Sequence, residues 1–189
     1  FRKWQYLGGV ADKNKGEMSV SLDHFSKYAL FEDGTMLQFK DLKGRWSENY
    51  VKGLYSLGVL NGIKDGNGYK YEPSRNITRL EFTKLVVETL QNTGRIKKTI
   101  GNTELPFADW DNIPDWGREY AASAYTNNIV KGRGTESGHF FDANDPITKA
   151  EAATIIGRTL DELGSTVNDF KDKAKHPTWA KEYIGALWN

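Results

Sequence analysis

The chain has 189 residues with 26 basic and 25 acidic side chains, a net charge of +1 that argues against a strong electrostatic hold on nucleic acid. Hydrophobic residues make up 38% and aromatics 13%, enough for a packed core, so a disordered chain is excluded. There is no cysteine, which removes disulfide frameworks and thiolate metal sites, and no apolar run is long enough to span a bilayer.

The first residue is Phe1 rather than Met and no signal peptide is present, so an excised or processed segment is expected. Residues 1–36 carry two short strand-like runs, Trp4-Gln5-Tyr6-Leu7 and Met18-Ser19-Val20-Ser21-Leu22, around a polar turn from Asp12 to Gly16. His24 to Leu30 continues in an extended pattern. One hairpin of this size is marginal alone. The segment is therefore read as the last strands of a preceding β-domain, or as a ribbon packed on the remainder of the chain.

Beyond residue 36 the chain repeats itself. Ile77-Thr78-Arg79-Leu80-Glu81 returns as Ile147-Thr148-Lys149-Ala150-Glu151, an offset of 70, and the surroundings return with it. Trp46 maps onto Trp116, Tyr50 onto Tyr120, Gly62 onto Gly132, Tyr71 onto Phe141 and Leu90 onto Leu160. A fixed period with matching residue classes marks an array of one supersecondary unit. A third copy begins with Phe170-Lys171-Asp172, Trp179 and Tyr183, and the sequence ends at Asn189. The expected division is 37–100, 101–166 and a partial 167–189, after the segment 1–36.

Each copy opens with Phe-x-Asp: Phe39/Asp41, Phe107/Asp109 and Phe170/Asp172. A first helix comes next, with Trp46, Tyr50, Leu54 and Leu57 on one face in the first copy and Trp116, Tyr120 and Ala124 in the second. Asp115 and Thr178 stand where an N-cap is wanted. A turn through Gly58 to Gly62, or Asn128 to Gly132, leads over a loop to Tyr71-Glu72-Pro73 or Phe141-Asp142-Ala143. Thr78-x-x-Glu81 and Thr148-x-x-Glu151 then spell capping boxes at the start of a second helix. Phe82, Leu85, Val86 and Leu90 form its apolar stripe, echoed by Ala152, Ile155, Ile156 and Leu160, and Gly94 and Gly164 suit its C-terminus.

Taken together, Phe-x-Asp, Trp, the Gly-bounded turn, aromatic-x-Pro and Ile-Thr-(Arg/Lys)-x-Glu resemble the S-layer homology repeat, over about residues 37–189. The resemblance implies a mainly α fold of helix-loop-helix repeats in a pseudo-trimeric spindle, here with a short N-terminal β-hairpin segment. It also implies non-covalent anchoring of a bacterial surface protein, secreted to the cell wall or S-layer. The partner would be an acidic secondary cell-wall polysaccharide, typically one with pyruvylated N-acetylmannosamine. Ligand grooves between repeats, each using the cation of the Thr-Arg-x-Glu motif, would then involve Arg79 and Lys149. Three departures stand out: Lys149 in place of Arg, Ala143 where the first copy has Pro73, and a third copy without its loop, second helix and basic motif. An ammonium cannot reproduce the guanidinium fork, which weakens carboxylate recognition at Lys149.

Thr78, Glu81, Thr148 and Glu151 are explained as helix caps. Arg79 and Lys149 are cations in a first helical turn, where the macrodipole disfavours them by up to ~1 kcal/mol. First-turn N–H groups plus a cation make an anion cradle; a salt bridge to Glu81, Glu151 or a carboxylate of the neighbouring repeat is the alternative. The repeated Trp46, Trp116 and Trp179 are expected in the core. Trp110 has no counterpart in the other copies and suits stacking on a sugar or covering of the surface between repeats. Asp41, Asp109 and Asp172 are open to sugar hydroxyls or to capping turns, and Gly62 and Gly132 to ligand approach or simply to a positive φ.

No cofactor or metal is expected: Asp65-Gly66-Asn67-Gly68 and Asp109-Trp110-Asp111 lack the ligand spacing of a calcium loop, and His24, His139 and His176 are scattered. No nucleophile elbow or phosphate loop occurs, and no catalysis is expected. The alternatives are a fragment of a wall-associated glycoside hydrolase and a self-assembling S-layer lattice protein. In the latter, self-association or completion of the third copy by another segment would be the partner interaction.

Overall fold

The computed structural model describes residues 10–12, 15–20, 39–97, 105–160 and 175–187. Among these the chain is mainly helical, with five α-helices and three two-stranded antiparallel hairpins. It divides into two compact units, Phe1–Arg75 and Asn76–Asn189.

In the first unit, β1 (Val10–Asp12) pairs with β2 (Glu17–Ser19), Val10 opposite Ser19 and Asp12 opposite Glu17. The strand therefore runs to Asp12, where the sequence pattern alone would begin the turn, and Gly16 takes φ 67°. Trp4 to Leu7 and His24 to Leu30 lie outside the described residues, as do Gly164, Phe170 and Asp172. α1 (Glu48–Ser56) is followed by the hairpin of β3 (Ile63–Asp65) and β4 (Gly68–Lys70). The Asp41 carboxylate accepts from the backbone N–H of Tyr71 at 3.0 Å and of Glu72 at 2.7 Å, tying the lead-in to the far side of the hairpin. Phe39 packs edge-on to Tyr55 and Tyr71, with Leu42, Val51, Val59 and Leu60 also buried.

In the second unit α2 (Arg79–Asn92) packs on α3 (Asp115–Thr126), and α4 (Lys149–Gly157) packs on α5 (Lys181–Ala186). The second helix of one copy thus packs on the first helix of the next. A 3-10 turn at Trp110–Asn112 leads into α3, and β5 (Arg133–Thr135) with β6 (Gly138–Phe140) forms the hairpin between α3 and α4. Both capping boxes are formed. Glu81 N–H donates to the Thr78 hydroxyl at 3.2 Å and Thr78 N–H to the Glu81 carboxylate at 2.9 Å, with the same two distances at Thr148 and Glu151.

The helix ends also follow the period. Arg95 N–H reaches Leu90 O and Gly94 N–H reaches Gln91 O, a Schellman closure with Gly94 at φ 72°. Val59 to Leu54 and Gly58 to Tyr55 close α1 in the same way. Ile129 to Ala124 and Asn128 to Tyr125 close α3, with Asn128 holding the left-handed position at φ 59°.

Several side chains stand elsewhere than the sequence implied. Trp46 precedes α1 and is 87% exposed; Trp116 and Trp179 are each 53% exposed, so none of the three is core. The faces that pack are built of small residues instead. Ala121, Ala122, Ser123 and Ala124 are buried in α3, and a Cβ on Gly117 would clash with the Leu80 side chain. Close helix approach leaves no room for an indole. The buried face of α2 is Leu80, Thr83, Val87 and Leu90, with Phe82 and Val86 at its flank, and Ile156 and Leu160 of the second copy are exposed. Asp115 is the first residue of α3 and Pro114 its N-cap, while Pro177 precedes the 3-10 turn Thr178–Ala180. Pro is favoured at such entries because its φ is already fixed.

Candidate functional site

Arg79 opens α2 yet is only 5% exposed, which is unusual for a first-turn cation. The backbone explains its position. Thr78 bridges to Pro146, Ile147 N–H donates to Ile77 O at 3.1 Å, Arg79 N–H to Asp145 O at 2.8 Å and Leu80 N–H to Ala143 O at 3.0 Å. The chain that precedes α4 therefore crosses the start of α2. That crossing uses the first-turn N–H groups, so the anion cradle expected there is already filled by carbonyls. Any anion at this place must be held by side chains.

Those side chains surround a cavity of about 390 Å³ within the second unit. Three guanidinium groups line it: Arg79 from α2, Arg133 from β5 and Arg158 from the end of α4. Glu151 is the one carboxylate among its lining residues, and Trp179 and Gly132 are also there. Arg79 Nη1 lies 3.3 Å from Glu151 Oε1, and Arg133 grips the same carboxylate at 2.7 and 3.2 Å. Arg133 Nη1 reaches Asp142 at 3.1 Å and Asp145 at 2.6 Å. The Arg79 guanidinium sits 5.8 Å from the centre of the Phe141 ring, and that of Arg158 sits 5.4 Å from the Tyr183 ring.

Burial alone would raise the Glu151 pKa. The hydrogen bonds from Arg133 and Thr148 and the charge of Arg79 outweigh that and bring it down to about 2. Burial pushes the Arg79 pKa down, opposed mainly by Glu151. The Arg133 pKa is held up chiefly by its bond to Glu151. Arg79 Nε and Arg158 Nε are both buried without a hydrogen-bond partner among the described residues. A buried donor left unmet costs about 1–3 kcal/mol, so each is a place for an acceptor.

Of the residues singled out from the sequence, Arg79, Gly132 and Glu151 line this cavity. Lys149, the first residue of α4, is exposed and lies outside the lining set. Asp109 places its two oxygens 2.7 Å from Phe141 N–H and 2.8 Å from Asp142 N–H, the counterpart of Asp41. Asp142, like Glu72 at the matching position, has a left-handed backbone, with φ 56° against 59°. Trp110 is half-buried against the core with the Arg118 guanidinium 6.0 Å from its ring centre. Gly132 at φ 80° carries no side chain because a Cβ would stand 2.8 Å from Phe107 Cε1; Gly62 at φ 70° faces Phe39 in the same way in the first unit.

Arg133, Arg158 and Trp179 do not stand out as ligand contacts from the repeat pattern. A signal exists in the sequence nonetheless: Ile63 and Glu88 hold the places of Arg133 and Arg158 in the first copy, so both arginines depart from the period. Among the described residues no group of three metal-type side chains occurs, and no helix is long and apolar enough to cross a membrane.

Comparison with known proteins agrees with the repeat. Residues 38–83 and 106–153 match the family model of the S-layer homology domain. An amylopullulanase of Thermoanaerobacterium thermosulfurigenes is 30% identical over 191 residues, covering 96% of this chain and 9% of that protein. A cellulosome-anchoring protein of Acetivibrio thermocellus is 27% identical, covering 72% and 29%. The surface-layer 125 kDa protein of Lysinibacillus sphaericus is 24% identical, covering 69% and 10%. The chain spans less than a third of the length of each of these relatives. Two matched copies, each with its lead-in Asp, left-handed turn and capping box in place, show that the chain belongs to the S-layer homology family of secreted, cell-surface proteins.

Proposed function

We propose that the chain holds a bacterial surface protein to the cell wall without a covalent bond. It does so by taking an acidic group of the secondary cell-wall polysaccharide, a pyruvyl carboxylate on N-acetylmannosamine, into the cavity lined by Arg79, Arg133 and Arg158. The observation that carries this is Arg79: a guanidinium 5% exposed, lining a cavity, with its Nε unmet. Arg133 is taken up by Glu151, Asp142 and Asp145, so the guanidiniums of Arg79 and Arg158, each with an unmet Nε, are the cations in the lining with capacity left for an incoming anion. A neutral sugar would not use it. Trp179, half exposed in the lining, offers a flat apolar face to the C–H side of a sugar ring.

The remaining residues take other parts in this reading. Asp41, Asp109, Gly62 and Gly132 build the turns, and Trp110 covers the core. Exposed Lys149 contributes only a solvated charge, worth little at a surface. Tethering is what the name of the cellulosome-anchoring relative describes, and binding in this cavity needs no bond to be made or broken. Co-sedimentation with purified wall sacculi tests the reading. The chain should pellet with intact sacculi and stay in solution once the secondary polysaccharide has been extracted; pelleting with both would refute it.

A further inference from the structure

α2 and α4 are equivalent helices, and they differ in the sign of charge at one position. In α2 that position is Glu88. Its carboxylate accepts from the Tyr120 hydroxyl at 2.6 Å and pairs with Lys84 at 3.2 Å, and the Lys84 ammonium also lies 5.6 Å from the Tyr120 ring centre. The phenol bonds one oxygen of the anion and the cation pairs with the other, although Glu88 Oε2 accepts no hydrogen bond among the described residues. In α4 the partners are replaced: Lys84 becomes Thr154, whose hydroxyl turns to Ala150 O at 2.9 Å, and Glu88 becomes Arg158. The phenol's counterpart Tyr183 now faces a guanidinium 5.4 Å from its ring centre. Arg158 donates Nη1 to Ile129 O at 3.2 Å, and its Nε, buried, has no partner among the described residues.

We propose that Arg158 is a specificity-determining residue, a second guanidinium that holds the acidic group beside Arg79, and that the sign at this helix position decides whether a second helix can serve an anionic sugar. The proposal rests on the wall-polysaccharide reading and sharpens it. The cation–π contact with Tyr183 and the bond to Ile129 restrain the Arg158 guanidinium, so less side-chain entropy is lost when it takes an acceptor than for a free side chain. Arg79 and Arg158 both line one cavity, and each keeps a buried Nε–H without a partner among the described residues. A carboxylate has the acceptor capacity for both, whereas a single hydroxyl meets that demand poorly. Glu88 makes the matching position of α2 a carboxylate already committed to Tyr120 and Lys84, which offers nothing to an anion.

The test is isothermal titration of the full 189-residue chain with purified wall polysaccharide, pyruvyl groups intact or hydrolysed, for Arg158→Gln, Arg158→Lys, Arg158→Glu and Arg79→Gln. We expect Arg158→Gln to lose at least about tenfold in affinity for the intact glycan, from one lost charge-assisted hydrogen bond. Arg158→Glu should abolish binding, and Arg158→Lys should restore part of what Gln loses. None of the three should change binding to the hydrolysed glycan. If Arg158→Gln binds like the parent while Arg79→Gln does not, the role of Arg158 is overturned and the wall-binding reading survives. If neither variant loses affinity, the wall-binding reading itself fails. A thermal midpoint measured without glycan separates folding from binding. Equal losses for intact and hydrolysed glycan with a lowered midpoint would make Arg158 structural and also overturn the proposal.

Discussion

The Glu151 carboxylate that closes the capping box of α4 also receives Arg79 of α2 at 3.3 Å, across 72 residues of sequence. One side chain thus caps its own helix and pairs with the equivalent helix of the preceding copy. Removing its charge should release both. Glu151→Gln leaves Arg79 and Arg133 without their shared anion, and since the two side chains of the Arg79 pair are 6% and 11% exposed, solvent cannot replace it. We expect a loss of about 2–4 kcal/mol in denaturant unfolding.

The same pair sets an acid limit. The folded pKa of Glu151, about 2, lies below its ordinary value of 4.5, so the unfolded chain takes up this proton first as pH falls. The stabilisation is complete above about 4.5 and is lost as pH drops towards 2, an interval worth about 3 kcal/mol. Thermal midpoints measured from about pH 5 to about pH 2 should fall more steeply for the parent than for Glu151→Gln. Parallel curves would show that Glu151 does not carry the acid sensitivity.

Arg79→Ala and Lys149→Ala should separate in wall-polysaccharide binding although they occupy matching positions. Arg79 lines the cavity and Lys149 is exposed outside it. The first should lose at least about tenfold in affinity and the second less than about threefold. Both should keep their helical circular dichroism, because Thr78, Glu81, Thr148 and Glu151 still cap.

Gly132→Ala should destabilise by about 1–3 kcal/mol, since φ 80° suits glycine and the new methyl would meet Phe107. A lowered thermal midpoint, with binding also weakened because Gly132 lines the cavity, is the expected result.

Local chemistry was legible in the sequence. Thr-x-x-Glu caps and the left-handed residues after α1 and α2 follow from side-chain identity within a few positions, and the structure forms them there. The misfit of Arg79 with its own helix was legible too. Its buried setting was not, because that depends on Ala143 and Asp145 of the second copy crossing the helix start of the first, a backbone contact between copies that side-chain spacing does not reveal. The tryptophans misled because spacing does not say which face packs: Trp46 stands before α1, Trp116 lies within α3 yet half exposed, and the packed face of α3 is built of alanine and glycine. Arg133 and Arg158 escape a reading by period because they are the residues that do not repeat, and those are the cations the cavity adds.

The central claim is that an anionic substituent is what the Arg79 cavity holds. Its most direct measurement is calorimetric titration of the unsubstituted chain with one preparation of wall polysaccharide, before and after hydrolysis of its pyruvyl groups. Affinity should fall at least about tenfold on hydrolysis, and the binding to intact glycan should weaken with added salt. Equal affinity for both forms would contradict the account.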